Sequence, residues 1–274
     1  MRRIFSELYS IFKDTPIHED IKALHEKGDY KRAYDVLCNA IESGSRLSKV
    51  PDIYILLAEL EFHVNQDPHK ALKVLDKAHK MGCTQIAYYY LRRAEALWGI
   101  GEIQKALQCY EKSVEAEPCA FYRSNLARAL SYLDDVRARS VWQKVLEEEP
   151  ENSQAHCHLA FEAAESGDRD KAIIIARKAD KLASSNEDIL NVASLYHEWE
   201  EFQTAIKKYL EAINLMKLSH LRGWVYARIA DCYLSMGQTG LARKYLKRAL
   251  KYRPDDKYVK EIQQEYEESI RRER

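Results

Sequence analysis

His156, Cys157 and His158 form the one run in this 274-residue chain whose residue types suggest a metal ion. Successive side chains on a helix point about 100° apart, so three neighbours cannot close on one ion. A helical ligand pair needs a spacing of three or four. The run is read instead as one packed and one exposed histidine, and no metal is expected. His63, His69, His79, His197 and His220 are scattered, and the chain holds no HExxH pair, phosphate-cradling glycine loop or nucleophile elbow. Carboxylate pairs are plentiful, but charged helices supply those by chance. Catalysis needs an enclosed pocket with perturbed groups. With no such constellation, the chain is read as non-enzymatic, with no cofactor and no small-molecule substrate.

The elements that would position any site declare themselves through an alanine. Ala33, Ala71, Ala106, Ala138, Ala172, Ala205 and Ala242 are separated by 38, 35, 32, 34, 33 and 37 residues. Seven residues after each comes a second small or modest side chain: Ala40, Ala78, Ser113, Val145, Ala179, Ala212 and Ala249. The stretch from Trp224 shows the unit most fully. Tyr226, Ile229, Ala230 and Tyr233 mark one helix, Met236-Gly237-Gln238 a turn, Ala242, Leu246 and Ala249 a second helix, and Pro254 its end. Small residues belong where two helices cross closely, and large ones fill the space between. A period of this length means stacked helical hairpins, each unable to bury its apolar face alone.

This pattern resembles the tetratricopeptide repeat, over roughly residues 14–256. Besides the last unit, Ala94, Leu97, Gly101, Ala106, Tyr110 and Pro118 carry the likeness. The tryptophan that the family places in its first helix is missing, with Tyr90, Tyr122, His156, Ile189 and Tyr226 in its place. The repeat around Ala138 is one residue short in its turn, at Leu133-Asp134-Asp135, and its second helix bears a weak likeness to a half-repeat of RNA-processing proteins. The repeat around Ala71 is one longer, with Asp67 as cap and Pro68 as first helical residue. The resemblance implies an all-α, right-handed superhelical solenoid of about seven hairpins, at 14–48, 51–85, 87–118, 120–152, 153–185, 186–219 and 223–254. An amphipathic capping helix at 1–13 and a charged one at 255–274, capped by Asp255 or Asp256, are expected to close the ends.

Formal charge is zero, with 43 basic and 43 acidic residues, which argues against a protein built mainly to hold nucleic acid. The balance is local, however. Arg243, Lys244, Lys247, Arg248 and Lys251 share one face of the last hairpin's second helix. Its plain reading is a solvated surface, and its sharper one a phosphate or acidic-partner site. Six cysteines show no CxxC pairing, and neither a signal-peptide core nor a membrane span is seen. A cytoplasmic, reduced protein is expected.

In the tetratricopeptide family the first helices line a concave groove where ligands lie. Carried onto this chain, that implies a partner-binding surface of Phe62, His63, Tyr88, Arg92, Trp98, Phe121, Asn125, Arg128, Tyr132, Phe161, Asn191, His197, Trp224 and Arg228. Asp52, Ile55, Glu59, Leu91, Cys157 and Ala227 fall on the same predicted faces. Tyr, Trp and Arg dominate binding energy when a partner buries them. One family subtype grips chaperone tails with a set of Lys, Asn and Arg on three successive first helices. Arg92, Asn125 and Arg128 come nearest to it, but its Lys and second Asn are absent. The reading is a scaffold or adaptor for a protein or peptide. Two alternatives are an RNA- or DNA-associated protein using the basic last hairpin, and a structural protein that self-associates, as monomer or homodimer.

Overall fold

The computed structural model describes residues 18–216 and 221–273. The expected helix at 1–13 lies outside them. Among the described residues there are fifteen α-helices and no strand, so the all-α, hairpin-built expectation holds. Seven hairpins run α1 (His18–Lys27) with α2 (Tyr30–Glu42), α3 (Ile53–Asn65) with α4 (Pro68–Lys80), α5 (Ile86–Gly99) with α6 (Ile103–Ala116), α7 (Ala120–Tyr132) with α8 (Arg137–Glu148), α9 (Ser153–Glu165) with α10 (Arg169–Leu182), α11 (Asn186–Glu198) with α12 (Phe202–Leu215), and α13 (Leu221–Ser235) with α14 (Thr239–Tyr252). A last helix, α15 (Lys257–Glu273), follows.

Local chemistry sets the boundaries. Asp67 accepts from the Lys70 amide at 2.9 Å, as its place before Pro68 predicts. Asn152 and Asp168 cap α9 and α10 in the same way. Ser185 and Asp188 close a reciprocal capping box on α11. At the start of α15 the cap is Asp256, which accepts from the Val259 amide at 3.2 Å. Gly101 ends the α5 turn with φ +80°. Where other turns lack glycine, Gln66, Asp134 and Glu200 adopt the same left-handed backbone, with φ of 54°, 51° and 60°.

The helices fall into two compact units, 1–150 and 151–274. The core of the first runs from Ile21 to Leu130, with Ala33, Ala71 and Ala106 at most 1 % exposed where helices cross. Trp142 of α8 is buried beside it and donates its indole N–H to Ser131 Oγ at 3.0 Å. The main core of the second unit is built on Ala205, Tyr209, Ile229, Ala230, Tyr245, Leu246 and Ile262. Ala172, Ala205 and Ala242 are 0 % exposed. Two buried hydroxyls, one of them at the marker position Ser113, make bonds that cross between helices. Ser113 donates to the Ala87 carbonyl at 2.8 Å, and Ser153 to that of Ala179 at 2.9 Å.

Within each unit the first helices of successive hairpins touch one another: α3 on α5, α5 on α7, and α9 on α11. No second helix packs as extensively on the second helix of the next hairpin. At these three steps the first helices form the tighter side.

Candidate functional site

Two polar networks are built on first helices. In the first unit Glu59 of α3 is 3 % exposed. Arg92 of α5 reaches back to it, Nη2 to Oε1 at 3.1 Å, and pairs forward with Glu95 at 2.6 Å. The Tyr88 hydroxyl donates to Glu59 Oε2 at 2.6 Å and accepts from Arg92 at 2.7 Å, while the guanidinium lies 4.6 Å from the Tyr88 ring. His25 of α1 and His63 of α3 approach Glu59 at 3.7 and 3.9 Å. Burial alone would raise the Glu59 carboxyl, but Arg92 and the two imidazoles outweigh it and hold it at about 2. Burial pushes His63 down, against the pull of Glu59.

In the second unit Arg228 of α13 donates to Tyr209 at 3.1 Å, to Tyr258 at 3.4 Å and to Glu198 at 3.1 Å. The Tyr258 hydroxyl donates to Asp231 at 2.8 Å, and Asp231 lies 3.5 Å from His197. Burial lowers His197, as does Arg228, and burial lifts the Cys232 thiol to about 12. A protonated thiol at that depth is a packing group and not a nucleophile.

The two arginines share a repeat position: Arg92 lies fourteen residues before Ala106, and Arg228 fourteen before Ala242. Glu95 and Asp231 each stand eleven before those alanines, and Glu59 stands twelve before Ala71, in the repeat with the extra turn residue. Counting back from the alanine would have found the network.

Placement of the candidates is mixed. Tyr88 and His197, expected to face the groove, are buried at 1 % and 8 %. Their rings are drawn inward because their polar tips find partners there. Ile55, Leu91, Cys157 and Ala227 are core residues, and Asp52 is buried while accepting from the Thr84 and Gln85 amides. Phe62, His63, Arg92, Trp98, Phe121, Asn125, Arg128, Phe161, Asn191, Trp224 and Arg228 are half-buried. Tyr132 is 76 % exposed and meets Trp98 of the preceding hairpin edge to face at 5.4 Å. Beside it, Arg128 donates to Asn125 at 2.8 Å, and Asn125 to the Phe121 carbonyl at 2.8 Å. The five cations of α14 are exposed. His156 is buried and His158 half-buried, and no group of three or more potential ligands is placed for a metal among the described residues.

The family model for the tetratricopeptide repeat matches residues 87–118 and 225–256, which hold α5–α6 and most of α13–α14. Those two stretches are tetratricopeptide repeats. A tetratricopeptide repeat protein from Parabacteroides merdae superposes with a TM-score of 0.64 at 17 % identity, over 96 % of this chain and 99 % of that one. The APC/C hetero-tetramer Cut9–Hcn1 gives 0.64 at 18 % identity, over 92 % of this chain and 48 % of that one. At such identities the likeness is one of fold. By sequence, 75 residues are 33 % identical to outer dynein arm-docking complex subunit 4 of Xenopus laevis, 27 % of this chain and only 14 % of that protein. Tetratricopeptide folds are in general non-catalytic scaffolds that bind protein partners. No described helix is long and apolar enough to cross a membrane.

Proposed function

We propose that this tetratricopeptide chain is a non-catalytic adaptor that holds a protein segment along its first helices, centred on α5 and α7. One observation carries this reading. Trp98 and Tyr132 join across two hairpins into an aromatic ledge whose outer ring is 76 % exposed. Along the same helix as Tyr132 lie Phe121, Asn125 and Arg128, tied together by their own hydrogen bonds. Rigid aromatic anchors beside an oriented guanidinium are what a peptide backbone or carboxylate needs. The ledge lies on the tighter side of its stack, where a segment would touch several helices at once. The Xenopus laevis relative, a subunit of a docking complex, supports an adaptor role. Six free cysteines, four of them buried, support a reducing compartment such as the cytoplasm.

The test is capture from native lysate by the intact chain and by Arg128→Ala/Tyr132→Ala, with helicity checked in both. A protein recovered by the first and lost by the second supports the reading. Equal recovery by two folded proteins removes the ledge as the site.

A further inference from the structure

We infer that the outer face of α14 is a second docking site, for an acidic protein segment whose carboxylates repeat about every 6 Å.

Helix α14 contains no acidic residue. Arg243, Lys244, Lys247, Arg248 and Lys251 are all exposed, and none forms an ion pair with a described carboxylate. Some exposed cations elsewhere are paired, Lys105 with Glu102, Arg137 with Asp135 and Glu111, Lys260 with Asp255, and others, such as Lys73, Lys144 and Lys178, pair with no described carboxylate. Helix α14 differs in setting five on one helix that has no acidic residue of its own. On α14 the five cations cover about 140° of the helix, opposite the buried Ala242, Tyr245, Leu246 and Ala249. Arg243, Lys247 and Lys251 are four residues apart, or about 6 Å along the axis. Alternate side chains of an extended segment recur about every 6.6–6.8 Å, and every fourth residue of a helix about every 6 Å. Either could set a carboxylate against each cation.

Two of the five are held in place. The Arg248 guanidinium lies 5.6 and 5.3 Å from the Tyr226 and Tyr245 rings, and Lys244 Nζ 5.8 Å from Tyr245. Ordering a long side chain before the partner arrives lowers the entropy lost on binding.

The same packing argues for protein over the other polyanions. Tyr245 is 8 % exposed beneath its cations, and Tyr252 stacks on Tyr226 with centroids 6.1 Å apart. Tyr252, the exposed ring of α14, is thus already stacked, so the helix offers no row of open rings to unpaired bases. Within the stripe there is no apolar side chain to enter a bilayer, and Leu241 and Tyr252 lie only at its edge.

The test uses the full chain with three probes at low salt: a fluorescein-labelled peptide of alternating Glu and Ala, a fluorescein-labelled oligouridylate of equal length, and phosphatidylserine vesicles. The comparison variant is Arg243→Glu/Lys247→Glu/Lys251→Glu, which spares the two cations packed on tyrosine. The peptide is expected to bind most tightly, to weaken about tenfold or more in the variant with helicity unchanged, and to be released by salt. Arg128→Ala/Tyr132→Ala should bind it as the parent does. Peptide binding that the variant leaves intact, no peptide binding at all, or tighter binding of oligouridylate or vesicles would each overturn the inference. So would a parent dimer that the variant dissolves, since a second copy would then be the occupant.

Discussion

Arg92 on α5 is bound to Glu59 on α3, one hairpin earlier, with Nη2 and Oε1 3.1 Å apart and both side chains nearly sealed from solvent. The contact ties two repeats through their first helices. A charge left alone at such depth is costly, whereas a buried pair contributes little beyond an apolar replacement. Arg92→Met should therefore lower unfolding stability by about 3–5 kcal/mol, and Glu59→Gln by less, because Glu95 still pairs with Arg92. The double variant should lose less than the two single losses added. Urea melts of all four proteins measure this, and strict additivity would mean the contact carries no coupling.

The same carboxylate predicts an acid limb. Its value falls from an ordinary 4.5 to about 2 on folding, so its stabilising effect is full above 4.5 and is lost as pH drops through 2. Glu59 should account for about 3 kcal/mol of the fall across that window, so the fall should be smaller by that amount in Glu59→Gln. His63, lowered by burial, acts in a separate window, where stability declines as pH drops below 6.5. Melts at a series of pH values separate the two.

Asp134 and Glu200 occupy left-handed backbone at φ 51° and 60° in turns where other repeats use glycine. A side chain there costs about 1 kcal/mol or more, partly offset by the freedom glycine brings to the unfolded chain. Asp134→Gly and Glu200→Gly should each be neutral to stabilising by up to about 1 kcal/mol. Thermal melts check this, and a clear loss in either would show that the side chain makes a compensating contact.

Ala106 is 0 % exposed at the crossing of α5 and α6. Ala106→Leu should force those helices apart and cost about 1–3 kcal/mol, whereas the same change at the exposed Ala116 should fall within about 0.5 kcal/mol. Equal effects at both positions would deny the alanine its packing role.

The alanine period, the helix caps and the turn positions are legible in the chain because each depends on nearest neighbours. A small side chain at a crossing recurs wherever the crossing recurs, and Asp67 caps its helix from three residues away. Those local rules place Ala33 through Ala242 in the core and yield the hairpins without any knowledge of what touches what. They also put Glu59 and Tyr88 on the right face, but not at the right depth. Each lies on a first-helix face that periodicity alone assigns to the groove. Only tertiary packing brings Arg92 and two imidazoles around the carboxylate, and that makes burial tolerable. Tyr132 is the converse. As the last residue of α7 it meets Trp98 of the preceding hairpin and still stays exposed. Local patterns alone specify a repeating all-α protein with charges in balance. Tertiary structure decided which polar groups became internal struts and which stayed free, because exposure depends on residues from other hairpins that no local pattern encodes.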